Sequence, residues 1–216
     1  PVRGMMKRLL SILILFALPG YLSGQDEAPA RLLHHDLLED AGMTYVDGFY
    51  IDLYEFPNQK GRLPRVEVSW EEARSLCAQR GKRLCTGSEW QTACAGPSNF
   101  PYGYGMKFES GRCNTPYLLE KTWERDRGTL PSGSFAECAS AYGAFDMIGN
   151  VWEWTSDRYS AEKDWRIVRG GSWFHNVNMA RSDYRYGRYL TLNYRLDLIG
   201  FRCCRSDSPA AEKTAP

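Results

Sequence analysis

The segment Gly149-Asn150-Val151-Trp152-Glu153-Trp154-Thr155 constrains this chain more than any other, read with Arg169-Gly170-Gly171-Ser172-Trp173 and Gly200-Phe201-Arg202-Cys203. Three tryptophans, four glycines and one acid crowd into these short stretches. Neither the helical period nor strand alternation accounts for them. The chain has 216 residues, which suits one large domain or two small ones, and its 43% apolar content supplies a sizeable core. A net charge of +1 gives no electrostatic case for nucleic acid or an anionic membrane.

At the N-terminus, Lys7 and Arg8 precede an almost wholly apolar run from Leu9 to Leu18, and the small residues Ser23 and Gly24 follow. An export signal over residues 1–24 is expected, with the mature chain beginning near Gln25. The run is shorter than the roughly 20 residues of a membrane span. An uncleaved signal is the alternative and the one expected route to a membrane. Residues 25–44 read as a polar linker that carries His34-His35. A secreted or periplasmic protein is the resulting expectation. All seven cysteines lie further on, at Cys77, Cys85, Cys94, Cys113, Cys138, Cys203 and Cys204. In an exported chain this count reads as a disulfide framework with one thiol left over. Thiolate metal binding is the competing reading, but there is no CxxC pair, and His34, His35 and His175 lack zinc-type spacing.

The aromatic run from Phe49 to Phe56, ended by Pro57-Asn58, predicts a strand. Ser69-x-x-Glu72 and Thr86-x-x-Glu89 are capping boxes, each opening a short helix. The first would bury Ala73, Leu76 and Cys77 and stop at Gly81. The second would bury Trp90, Ala93 and Cys94 and stop at Gly96-Pro97. From Pro97 to Pro131, Gly, Pro, Asn and aromatic residues predict little regular structure, and so long an irregular stretch calls for a function or a staple. Residues 134–205 predict brief strands between long loops, and residues 206–216 a disordered tail. The folded domain is therefore expected over residues 45–205.

In this order, several motifs resemble the formylglycine-generating enzyme (sulfatase-modifying factor) family. They are Val68-Ser69-Trp70-Glu71-Glu72-Ala73, Gly81-Lys82-Arg83-Leu84, Cys113-Asn114, the run from Tyr142 to Thr155, Arg169 to Trp173, Ala180-Arg181 and Gly200-Phe201-Arg202. The resemblance implies a single compact α+β domain of low regular secondary structure, distantly like C-type lectins. It also implies where chemistry would sit. The generating enzymes hold copper with two active-site cysteines, and soft thiolates are what Cu(I) prefers. The first of these positions is His175 here, and no cysteine lies between Asn176 and Leu198. Leu198 stands where the family often has a polar residue. Ser172 keeps its matching position. The chain thus reads as a divergent member lacking the catalytic pair, in which copper is not expected.

Calcium is the cofactor the resemblance does imply, in a structural role. One ion would take the Asp146 and Glu153 carboxylates with the Gly149 and Val151 carbonyls; two acids and two carbonyls suit a hard cation, water completing the shell. The alternative is that both acids cap turns. A second ion would use Asn114, the Thr115 carbonyl, Glu124 and the Asp126 carbonyl. The family's bridge from the first helix maps to Cys77–Cys203. We pair the added cysteines as Cys85–Cys204 and close the irregular segment with Cys113–Cys138, leaving Cys94 odd; a vicinal Cys203–Cys204 bond is the strained alternative.

Ser172, Trp173, His175 and Arg181 are the ligand-pocket candidates. Of Trp152, Trp154 and Trp173, at least two are expected in the core. Arg181, Arg185, Arg188 and Arg195 interleave with Tyr184, Tyr186, Tyr189 and Tyr194 in the segment that replaces the catalytic region. That segment is either a contact for an acidic or aromatic partner or a salt-bridged cover over the core. The leading functional expectation is an exported, calcium- and disulfide-stabilised, non-catalytic binding or accessory module, with a protein, peptide or glycan as its ligand. The alternative is an oxidoreductase of the same superfamily with a different metal site, acting on a protein or small thiol.

Overall fold

A computed structural model describes residues 42–207. The expected signal over 1–24 and almost all of the 25–44 linker lie outside the described residues, as does the tail beyond Asp207.

Strands β1 (Met43–Val46) and β2 (Phe49–Asp52) form a hairpin. β1 thus starts inside the segment read as linker. β2 stops at Asp52, short of the expected end at Phe56. The reason is that the groups after Asp52 find partners outside the sheet. The Leu53 N–H returns to the Gly42 carbonyl, the Asn58 amide oxygen accepts from the Tyr54 N–H at 3.0 Å, and Glu55 turns inward with none of its surface exposed.

Helices α1 (Trp70–Ala78) and α2 (Gly87–Ala95) both begin with a reciprocal capping box. The Ser69 and Thr86 hydroxyls accept from the Glu72 and Glu89 N–H groups, while each glutamate accepts from its cap N–H. α1 buries Ala73 and Cys77, and α2 buries Trp90, Ala93 and Cys94. α2 ends at Gly96, where φ is +66° and the N–H closes on the Thr92 carbonyl. Between the helices lies β3 (Arg83–Leu84). The irregular stretch after α2 holds one small hairpin, β4 (Tyr117–Leu119) with β5 (Thr122–Glu124).

Two four-stranded sheets frame the core. One has the order β1-β2-β10-β3, with β10 (Cys203–Ser206) antiparallel to both neighbours. β10 carries the fold one residue past the expected boundary at 205. The other sheet has the order β8-β7-β6-β9, with β6 (Trp152–Arg158), β7 (Arg166–Arg169), β8 (Arg185–Tyr186) and β9 (Ile199–Phe201). β9 runs parallel to β6. Arg202 alone separates β9 from β10, so the Gly-Phe-Arg-Cys motif passes directly from one sheet to the other.

Disulfides Cys77–Cys203 and Cys85–Cys204 staple that crossing to α1 and to the end of β3, across sequence separations of 126 and 119. Loop closure on this scale is worth about 4 to 5 kcal/mol for the first bridge in the chain-entropy account, and about 2 to 3 kcal/mol for the second, which closes only the short loop left between them. Cys113–Cys138 ties the irregular segment to the loop before Tyr142. Cys94 is the free cysteine among the described residues and is fully buried. Ile51, Trp90 and Ile148 centre one apolar cluster, and Trp154, Phe201 and Leu84 a second. The result is a single α+β domain in which loops carry most of the chain.

Candidate functional site

The motif residues separate into a buried polar junction and an aromatic cavity. At the junction, Arg202 is completely buried. Its Nε and Nη2 donate to the two Glu153 oxygens, both at 2.7 Å. Its remaining N–H groups go to the carbonyls of Asp52, Leu53 and Phe145. Glu153 also accepts from the Trp90 indole at 2.7 Å. A guanidinium so enclosed persists because all its donors and its charge are answered.

Two more buried acids flank this pair. Glu55 accepts from the Ser132 hydroxyl and, at 2.8 Å, from Asn150 Nδ2. Asp146 accepts from the Gly133 N–H at 2.6 Å. Burial pushes the Asp146 carboxyl up to about 6, and the nearby Glu153 charge adds to the rise. Burial likewise holds Glu55 well above the usual carboxylate range, helped by Asp146 and Glu153. Asn150 joins the network to the irregular segment, because its Oδ1 accepts from Asn114 Nδ2 at 2.9 Å and from the Leu130 N–H at 3.0 Å.

This geometry bears on both calcium sets. Both Glu153 oxygens face the Arg202 guanidinium, so this carboxylate does not fit a cation site with Asp146, Gly149 and Val151. Nor do three His, Cys, Asp or Glu side chains anywhere among the described residues gather as a metal-holding group. The Asn114 set differs in one respect: Asn114 Oδ1 is a buried acceptor with no partner. Asp126 Oδ1 accepts from the Tyr117 hydroxyl at 2.9 Å, leaving its carbonyl outside that contact.

The second site is a cavity of about 390 Å³. Trp152, Tyr186, Tyr189 and Tyr194 give it aromatic walls, Val168, Met179, Leu190, Leu196 and Ile199 aliphatic ones, and His175 and Arg188 its polar groups. The His175 ring is locked from one side. Its Nδ1 lies 3.0 Å from the Trp152 indole nitrogen and 2.7 Å from Ser172 Oγ. An indole N–H can only donate, so Nδ1 is unprotonated and the neutral ring carries its proton on Nε2. Burial, with the Arg125 charge nearby, keeps the His175 pKa below its ordinary value. Ser172 is 1% exposed and its oxygen accepts from the Phe174 and His175 N–H groups. It therefore positions the turn and does not face the cavity as a nucleophile.

Of the four sequence-derived pocket candidates, the structure brings Ser172 and His175 together and places the other two elsewhere. The Trp173 indole donates to Thr129 Oγ1, 3.1 Å away. Arg181 is paired with Asp183 and lies over the Tyr102 ring. Trp152 and Trp154 are core residues, at 3% and 1% exposed. Within the Arg/Tyr segment, Arg195 is tied to Glu72, while Arg188 and three tyrosines reach the cavity. Sequence reasoning assigned no role to Glu55, Asn150 or Arg202. The signal for Glu55 was an acid inside an aromatic run, and that for Arg202 was its place between two motif residues.

A copper centre does not fit this donor set. Three disulfides take six of the seven cysteines. Cys94 is buried in the apolar cluster around Trp90, and burial raises its thiol pKa far above normal. His175, with the Met179 thioether as the one sulfur lining its cavity, does not reproduce the paired thiolates of the family's copper site.

Scaffold and cavity together define a disulfide-stapled α+β domain that keeps a framework and offers no thiolate pair at the position of interest. The chain belongs to the sulfatase-modifying factor enzyme 1-like domain family, whose profile matches residues 41–207. It is 36% identical over 165 residues to the inactive C-alpha-formylglycine-generating enzyme 2 of Bos taurus, covering 67% of this chain and 51% of that protein. The formylglycine-generating enzyme of Mus musculus matches at 30% over 178 residues, covering 69% and 46%. The chain spans about half the length of these curated relatives. Among solved structures, PvdO from Pseudomonas aeruginosa superposes with a TM-score of 0.55 at 24% identity, covering 82% of this chain and 77% of that one. CarF superposes at 0.57 with 21% identity, covering 73% and 86%. At these identities the structural likeness speaks for the fold. Three disulfides point to an oxidising compartment.

Proposed function

We propose that this chain is a non-catalytic, exported binding module of its family, and that its ligand-binding site is the aromatic cavity beside His175. The observation that carries this reading is the anchoring of His175. The residue at the family's first copper-cysteine position is held by Trp152 and Ser172 as part of a wall, with no thiolate beside it. The presence of an inactive formylglycine-generating enzyme among the relatives is consistent with it. Nine apolar or aromatic side chains against two polar ones favour a peptide carrying a bulky apolar side chain over a glycan, which needs more hydrogen-bonding partners. Arg188 at the edge would orient a carbonyl or carboxylate of that peptide.

The test has two parts. With Cu(I), oxygen and a cysteine-containing sulfatase peptide, the protein is expected to consume no oxygen and form no aldehyde; turnover would end the proposal. N-acetyl-phenylalaninamide, used as a probe, is expected to shift the Trp152 indole and His175 resonances, and Tyr189→Ala to weaken that response. A structural calcium ion at Asn114, Thr115, Glu124 and Asp126 is part of the same reading, supported by the unpartnered Asn114 oxygen. Calcium would then raise the melting temperature, and Asn114→Ala would remove the increase.

A further inference from the structure

A second and larger cavity, of about 1150 Å³, runs from α1, β6 and β7 past β3 and α2 to the β1–β2 turn, and the side chains of Arg74, Arg158 and Arg166 line its end at Trp70. In the β6–β7 ladder, Arg158 stands directly opposite Arg166. Like charges in register across a strand pair are destabilising, and nothing in the fold requires this one. Arg166 is only 8% exposed, yet its Nε has no hydrogen-bond partner. A buried guanidinium N–H without a partner costs free energy and calls for an acceptor. The guanidinium lies 4.0 Å from the centre of the Trp70 ring. Arg74, one turn along α1, approaches the same ring at 5.8 Å. Trp70 is itself fixed, because its indole N–H donates to the Thr155 carbonyl at 2.7 Å.

The cavity's own acids include Glu89, which is taken by Arg83, and among the described residues no acid makes a close ion pair with Arg74 or Arg166. Asp164 meets Arg158 only at 3.8 Å, between two well-exposed side chains. Glu71 and Asp164 act on Arg166 at a distance, and Arg158 and Arg74 oppose them, so burial and repulsion together hold the Arg166 pKa below its ordinary value. A basic residue raised in potential by two like neighbours, backed by an aromatic face and open to a cavity, is arranged for an anion.

We propose that Arg74, Arg158 and Arg166, with the face of Trp70, form a binding site for a doubly charged oxyanion of the phosphate or sulfate type. Three guanidiniums match a dianion better than a single carboxylate, since each presents a planar fork to two oxygens. The cavity leaves room beside the anion for the organic part of an ester. This site shares no side chain with the His175 cavity, so the two proposals stand or fall separately.

The experiment follows the Arg166 Nε–H resonance of the intact protein during titration with inorganic phosphate, at constant ionic strength set with sodium chloride. A saturable shift with a midpoint on the order of 1 mM is expected. Arg74→Gln and Arg158→Gln change exposed side chains, so both should fold, and each should weaken binding about tenfold through loss of a charged hydrogen bond. Sulfate should compete with phosphate. Phenyl phosphate binding more tightly than the inorganic ion would identify an ester as the ligand; the reverse order would identify the free ion. No saturable shift, wild-type binding by both variants, or an equal response to sodium acetate would overturn the proposal.

Discussion

Around Arg202 every donor has an acceptor and nothing is exposed; around His175 the cavity rim leaves Tyr189 60% and Tyr186 38% exposed, with Phe174 nearby at 49%. The junction draws its Arg202, Glu153, Asp146 and Asn150 from the family motifs, whereas the cavity shares only Trp152 with them. The junction joins two sheets through one residue, so its side chains are fixed by the fold. The cavity is closed by a segment whose regular structure is one 3-10 turn and the short edge strand β8, so its residues can change with only the edge of one sheet affected. The residues that hold the framework are therefore not the ones that line the cavity, and either set can vary while the other stays.

The contrast breaks first at the ion pair. Arg202→Met leaves Glu153 as a buried charge facing only the Trp90 indole, and should cost roughly 3 to 5 kcal/mol in urea unfolding. A loss below about 1 kcal/mol would show that the junction does not hold the sheets together. Replacing both Cys77 and Cys203 by Ser tests the staple beside it. Because Cys85–Cys204 still holds the long loop, the expected loss is about 2 to 3 kcal/mol, read the same way under non-reducing conditions, with little change in the His175 resonance.

The local elements were the most legible part of the sequence. Ser69/Glu72 and Thr86/Glu89 announce their helices because a capping box is solved within four residues. The cysteine count announced a disulfide-dependent chain. β2 was overextended because strand propensity in Tyr54 and Phe56 says nothing about a partner, and Glu55 is drawn inward by Ser132 and Asn150, far away in sequence. The site was legible only in part for the same reason. That His175 stands where the family resemblance implies a cysteine is readable along the chain; that Trp152 holds its ring is a contact across 23 residues. Arg166 opposite Arg158 depends on the bulged register of β6 and β7, which no local pattern fixes.

Acid titration sharpens the comparison, because the two regions respond with opposite sign. Asp146 has a folded pKa of about 6 against an ordinary 3.8, so the folded state holds the extra proton between those values. Its penalty is absent below the lower value and grows as pH rises through the upper one, by on the order of 3 kcal/mol. Asp146→Asn keeps an acceptor for the Gly133 N–H and should therefore stabilise the protein more at pH 8 than at pH 4. Equal effects at both would contradict the buried-acid account. His175 works the other way. Its folded pKa is depressed, so its neutral form favours the fold above the ordinary value of 6.5, and that stability is lost as pH falls below it. His175→Ala should abolish this acid-side loss while leaving the Trp152 N–H unpaired, at a cost of about 1 to 2 kcal/mol near neutral pH.

The smallest expected effect is the most discriminating. Tyr189 lines the cavity yet is 60% exposed, with its ring centre 4.9 Å from that of Trp165. Its φ of +67° is unusual for a side chain of this size, and such strain persists where the surroundings hold it. Tyr189→Gly should change unfolding free energy by no more than about 0.5 kcal/mol, the lost ring contact being offset by relief of the backbone. The same change should remove most of the response to N-acetyl-phenylalaninamide. A stability loss comparable to that of Arg202→Met would mean that the cavity rim belongs to the framework, and the division between a fixed junction and a replaceable surface would then be wrong.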